Sequence, residues 1–319
     1  MPKVHNRKMP AAHAARARHA PKSIAAGLLL ATLGAVAFSG KAIIVKLAYR
    51  HGVDAVTLIM LRMLFALPFF LVMTWWSGRP TDERRPPPIT GGDWLGIAWL
   101  GLTGYYLASF LDFAGLQFIT ASLERLILYL NPTLVLLLGL VIFRRAIGRR
   151  QAMGMAISYA GVLMVFGHEV TLQGTHVALG ALLVFLSAVS YAMYLFYSGE
   201  MVQRLGSMRL VGLATSVACV LCITQFVLLR PLEVAWNVAP EVIWLSILNA
   251  TLCTVVPVML VMMAIERIGS GLAAQAGMLG PMSTMVMGVV ILDEPFTPWL
   301  VGGTVLVIAG VAVCAKKAG

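Results

Sequence analysis

Apolar runs about as long as a bilayer is thick recur along this chain, and no other feature narrows its folding so far. A spanning helix needs about 20 apolar residues, and residues 56–76, 126–143 and 177–197 each approach or exceed that length. With 60% hydrophobic and only 12% charged residues among 319, too little polar surface remains for a water-facing globule. The expected class is an all-α integral membrane protein.

Glycine, proline and charge punctuate the apolar runs into ten predicted spans. The first five lie near residues 24–48, 56–76, 94–118, 121–142 and 149–167. The second five lie near 176–201, 208–229, 241–265, 271–292 and 298–315. The net charge of +11 would suggest nucleic acid in a soluble protein, but the basic residues cluster in tails and alternate short loops. With the amino terminus inside, cytoplasmic segments hold 18 of the 24 lysines and arginines and outer loops only Arg50 and Arg230. That bias predicts a bacterial inner-membrane protein with both termini cytoplasmic. No nucleic-acid partner is expected, membrane lipid is, and a homodimer stays open.

Residues 1–23 are basic, lack an apolar face and read as a disordered cytoplasmic tail, with histidines at no metal-site spacing. Cys219, Cys222, Cys253 and Cys314 fall inside apolar stretches, where they read as small packers rather than redox or zinc ligands. No cofactor or metal is implied. Lys22 followed by an apolar run and Ala35-Val36-Ala37 matches a cleaved leader. Internal symmetry argues against cleavage. A shift of 153 residues lays Gly27, Leu33, Ala35-Val36 and Phe38 on Gly180, Leu186, Ala188-Val189 and Tyr191. A shift of 149 lays Asn131-Pro132 on Gly280-Pro281, Gly139 on Gly288, Gly154 on Gly303 and Ala160-Gly161-Val162 on Ala309-Gly310-Val311.

Five spans per half is an odd number, so the second half must enter the membrane from the opposite side. The predicted architecture is therefore two inverted five-helix repeats, residues 24–167 and 176–315. Loop charge agrees: Arg144-Arg145 is matched in the second half by Asp293-Glu294.

This layout, with Leu292-Asp293-Glu294-Pro295-Phe296-Thr297-Pro298 followed by Gly302-Gly303 and Ala309-Gly310-Val311, resembles the EamA-type transporters of the drug/metabolite transporter superfamily over residues 24–315. Arg144-Arg145 departs from the family pattern in the first half. The resemblance implies a helical bundle with a central cavity that opens to each side in turn. It further implies transport of small organic solutes such as amino acids or related metabolites, often outward.

Ionisable groups within spans cost about 2.5–3.5 kcal/mol at a helix centre, so they require a partner or a purpose. Lys41, Lys46, Arg62, Asp112, Glu124 and Arg125 all belong to the first half and tend toward its outer side. In one reading Lys46 and Glu124 reach the interface while Arg62 pairs with Asp112 to hold the bundle. In the other they form a charged vestibule or gate whose excess of cations favours an anionic substrate. Asp112 and Glu124 are then the intramembrane proton carriers.

Helical geometry separates neighbours by about 100°, putting Arg125 with Tyr129 and Pro132, and Glu124 with Leu128 and Asn131. Lys41, Arg62, Asp112 and Arg125 are the expected cavity-facing set. Pro132 and Pro281 occupy equivalent positions in spans four and nine, and paired helix breaks point to a transport site, although each alone could be a packing kink. Around the predicted midplane the second half offers Tyr191, Tyr194, Asn249, Thr254, Gln275, Ser283 and Thr284; the two tyrosines lie on one helix face and either stack on substrate or pack between helices.

An intramembrane enzyme is the rival from another class. Ile268-Gly269-Ser270-Gly271 superficially resembles a serine protease signature, but it falls at a predicted loop, and no intramembrane histidine exists to activate it. A flippase for a lipid or lipid-linked sugar would share the fold, and a receptor or assembly subunit would show no flux.

Overall fold

Lipid cannot satisfy a backbone N–H or C=O, so an apolar chain in a bilayer must close its hydrogen bonds within helices. The computed structural model describes residues 21–79, 87–144, 147–174, 176–277 and 279–315, and among them there is helix and loop but no strand. The helices are α1 (Pro21–Tyr49), α2 (Ala55–Ser77), α3 (Gly91–Leu100), α4 (Ala108–Leu116), α5 (Ala121–Leu128), α6 (Asn131–Phe143) and α7 (Arg149–Gln173). They continue as α8 (His176–Leu205), α9 (Ser207–Leu229), the single turn α10 (Glu233–Trp236), α11 (Pro240–Ala250), α12 (Val256–Gly277), α13 (Leu279–Leu292) and α14 (Pro298–Ala315). Among the described residues eight continuous stretches are long and apolar enough to cross a membrane, and Leu279–Leu292 and Pro298–Cys314 are shorter apolar helices.

Three interruptions shape these stretches. A π-helical turn, Gly101–Leu107, joins α3 to α4, and another, Thr251–Val255, joins α11 to α12. The two lie at matching positions of the sequence repeat, and each widened turn displaces side chains from a regular helical face. Neither is visible in the apolar pattern. The third separates α5 from α6 at Tyr129–Leu130, with Pro132 at the start of α6, where its missing N–H costs nothing. Pro281 is buried three residues into α13. Gly269, with φ 77° and ψ 162°, bends α12 within the predicted Ile268–Ser270 loop. Helix α1 begins at Pro21, inside the segment expected as tail; residues 1–20 lie outside the described part.

The halves also match in backbone detail. Arg144 and Asp293, at a shift of 149, are the non-glycine residues with positive φ among the described residues, 50° and 59°, each following the end of its helix. Packing pairs related elements: α7 lies along α14, α2 along α9, and the contact of α1 with α12 has its counterpart in α8 with α4 and its π turn.

Between α7 and α14 no hydrophobic driving force operates in lipid, so close backbone approach must supply the attraction. Glycine permits it. A Cβ on Gly310 would lie 2.5 Å from the Gly154 carbonyl, and one on Gly161 2.7 Å from the Gly303 carbonyl. Pairing 154 with 310 and 161 with 303 means that these two helices run antiparallel.

At the loop between α1 and α2, Asp54 caps α2 by accepting from the N–H groups of Val56 and Thr57 at 2.9 and 3.1 Å. Partial burial pushes its carboxyl up, but the Thr57 hydroxyl, the Thr57 N–H and Arg230 outweigh that and hold it below the usual aspartate range. Gly310→Leu is expected to lower stability by about 1–3 kcal/mol through overpacking, read as a fall in unfolding temperature in detergent; an unchanged transition would contradict the glycine-dependent α7–α14 contact. Asp54→Ala should cost about 1 kcal/mol near neutral pH. Because the folded carboxyl is depressed, that contribution is full above the unfolded value and fades as pH falls through the folded one. The gap between variant and parent should therefore shrink from about pH 7 to about pH 3.

Candidate functional site

A cavity of about 270 Å³ lies in the bundle and collects four of the six charged side chains assigned to spans of the first half. Its cationic wall is Lys41 from α1, Arg62 from α2 and Arg125 from α5; Asp112 from α4 is the carboxylate on its surface. Tyr129 and Asn131, at the break between α5 and α6, and Tyr191 of α8 also line it. An aromatic shell is completed by Phe38, Phe70 and Tyr105.

The ion pairs differ from the expected Arg62–Asp112 pair. Lys41 Nζ lies 2.5 Å from Asp112 Oδ2 and 3.4 Å from Glu124 Oε1, so one ammonium serves two carboxylates. Glu124 does not reach the interface; it is fully buried behind the cavity wall. Lys46 does turn toward backbone at the helix ends, donating to the carbonyls of Leu116 and Ile119 at 3.2 and 2.9 Å. Removing Lys46 from the cluster leaves three cations against two carboxylates.

Arg62 and Arg125 are held by weaker partners. Arg62 Nη2 donates to Ser109 Oγ at 3.1 Å, and its guanidinium sits 4.9 Å from the Phe113 ring centroid. Arg125 Nη2 donates to Ser39 Oγ at 3.3 Å, and its guanidinium lies 4.9 Å from the Phe38 centroid. Among the described residues neither has a carboxylate within ion-pairing distance. The Nε atoms of both, Asp112 Oδ1 and Asn131 Oδ1 are buried without a hydrogen-bond partner. Buried donors in that state are costly, which makes them receptive to a ligand acceptor.

Local sequence explains how these groups converge. The break at Tyr129–Leu130 lets residues on both predicted faces, Arg125 and Tyr129 on one and Leu128 and Asn131 on the other, reach the same cavity. The π turn before α4 brings Tyr105 to the wall, and a Cβ on Gly104 would lie 2.4 Å from Tyr194, so only glycine allows that approach. Tyr194 is a support rather than a lining residue: its ring stacks on Tyr191 at 5.5 Å, and its hydroxyl pairs with that of Tyr105 at 3.1 Å. The Gln275 side chain lies outside the described part of the structure.

Phe70, Tyr105 and Ser109 are site residues that sequence reasoning missed. Phe70 looks like any apolar residue of a span, and Tyr105 is placed by a π turn that leaves no periodic signature. Phe70 also lines a larger, mainly apolar groove of about 1020 Å³ between α2, the α8–α9 turn and α12, which ends near Arg209. The opposite end of the bundle is filled by packed side chains that include Val45, Ile59, Phe113 and Leu116. The cavity is thus plugged on the face of Lys46 and adjoins a groove on the face of Arg209.

Sequence comparison adds independent support. The model of the EamA-like transporter family matches twice, over residues 25–167 and 178–315. The uncharacterized transporter YcbK of Bacillus subtilis is 29% identical over 315 residues, spanning 93% of this chain and 96% of its own. An uncharacterized transporter of Archaeoglobus fulgidus is 23% identical, with 91% and 97% of the two chains covered. A solved crystal structure superposes with a TM-score of 0.61 at 17% identity, covering 91% of this chain and 97% of that one, a likeness of fold. With both halves matched across nearly the whole sequence, the chain belongs to the EamA-like transporter family.

Proposed function

We propose that this protein is a bacterial inner-membrane secondary transporter that carries a small organic metabolite with a carboxylate or similar anionic group, such as an amino acid or related compound, by alternating access around the 270 Å³ cavity. The observation that carries the substrate class is the pair of guanidiniums, Arg62 buried and Arg125 half-buried, each lining the cavity without a carboxylate partner. Arginine presents donors suited to a carboxylate. The volume lies just under the roughly 300–1,000 Å³ of drug-sized ligand pockets, which fits a small metabolite. Export is the direction the family resemblance implies.

Ten crossings in two inverted halves suit the geometry. The part of α12 beyond Gly269 together with α13 forms the ninth crossing and α14 the tenth. The antiparallel packing of the repeat mates α7 and α14 supports inversion, because repeats in the same orientation would set mates parallel. Proton coupling fits the shared ammonium: protonation of Asp112 or Glu124 loosens one of the two ties on Lys41 and changes the charge facing the substrate. The apolar groove beside Phe70 favours a second reading, a flippase whose substrate would lay an acyl chain there; scrambling of a labelled lipid in proteoliposomes without metabolite flux would select it.

Replacing Arg62 or Arg125 with alanine should weaken binding of a carboxylate substrate by about 10- to 100-fold, the range for losing a hydrogen bond to a charged group, while leaving membrane insertion intact. Flux across a panel of carboxylates and their uncharged amides in proteoliposomes checks this, and equal transport of acid and amide would remove the arginines from recognition. Asp112→Asn should uncouple transport from an imposed pH gradient, so that internal pH no longer responds to added substrate. A pH response equal to that of the parent would exclude Asp112 as the proton carrier.

A further inference from the structure

Helix α5 is only eight residues long, yet it carries Glu124 and Arg125, and two buried carboxylates from distant elements hold its N-terminus. Glu294, in the loop between α13 and α14, accepts from the Ala121 N–H at 2.6 Å, the Ser122 N–H at 3.2 Å and the Ser122 hydroxyl at 2.6 Å. Glu169 of α7 accepts from the Thr120 hydroxyl and N–H. A carboxylate at this position satisfies N–H groups that no helix can bond internally and complements the helix dipole. Gly288 makes the approach feasible, since a Cβ there would lie 2.5 Å from Glu294 Oε2.

The same face carries two more ties. Arg50 donates to the Leu292 carbonyl at 3.0 Å, joining α1 to the end of α13, and Lys46 bonds to the carbonyls that precede α5. At a shift of 149 the counterpart of Glu294 is Arg145. A guanidinium has no acceptor, so that residue cannot cap a helix N-terminus. The sequence therefore permits this cap on one face and not on the other.

We propose that the Glu294 carboxylate, seated on the N-terminus of α5, is a one-sided latch: it keeps its own face of the bundle closed, positions Glu124 and Arg125, and must be released before that face opens. The inference rests on the alternating-access reading above, and Glu294 acts in it as a positioning residue.

Two reporters test the latch without any substrate. Val45 is buried one turn beyond Lys41 on the same face of α1, in the plugged end, and Val255 lines the groove at the other. Cysteine at each, in vesicles of known orientation, is labelled with a membrane-impermeant thiol reagent from the corresponding side; the four buried native cysteines set the background in the parent. Glu294→Ala is expected to raise labelling of Val45→Cys about tenfold, as the loss of charge-assisted hydrogen bonds to one state should, and to lower labelling of Val255→Cys. Glu294→Gln, whose amide oxygen still accepts from Ala121, should fall between, and it carries the test if the alanine variant does not fold. Unchanged labelling at Val45→Cys, or a rise at both reporters, which signals general loosening, would overturn the latch. Equal flux of carboxylates and their uncharged amides through the parent protein, with this labelling pattern intact, would reject the substrate class and leave the latch standing.

Discussion

A single ammonium, that of Lys41, holds two carboxylates together where water cannot. Asp112 on α4 and Glu124 on α5 flank a loop between successive crossings, and each would be too costly to bury alone. Sharing Lys41 makes their burial tolerable and draws α1, α4 and α5 to one point. The cavity is the space left beside that point, and its other cations face it because the carboxylates are already engaged.

Glycine supplies the complementary constraint. Where α7 meets α14 and where the turn before α4 meets Tyr194, the absence of a side chain lets backbones or rings approach to contact distance. In lipid, where apolar burial gives no advantage between helices, such contact is the main source of cohesion. Phe70 lines both the groove between α2 and α12 and the charged cavity, and so stands between them.

The same repeat yields unlike chemistry in its two halves. Backbone features repeat: the π turns, and the left-handed residues Arg144 and Asp293. Side-chain charge does not. The cavity takes its cations and its carboxylate from the first half, whereas the second contributes Tyr191, Thr254 and the carboxylate that caps α5. A repeated scaffold with asymmetric charge therefore presents two chemically unlike faces.

Sequence by itself determined that the chain is helical and membrane-embedded and that it repeats, and it singled out Lys41, Arg62, Asp112 and Arg125, because lipid as solvent penalises polar groups so heavily that each one present is informative. It did not determine the partners. Lys41 and Asp112 are 71 residues apart, and whether Asp112 meets Lys41 or Arg62 depends on helix rotations of tens of degrees that no apolar pattern encodes. The approach of Tyr194 to Gly104 and Tyr105 and the seat of Glu294 on α5 have the same origin. Each depends on where two distant elements happen to touch, and a touch at hydrogen-bond range is decided by the packed bundle as a whole.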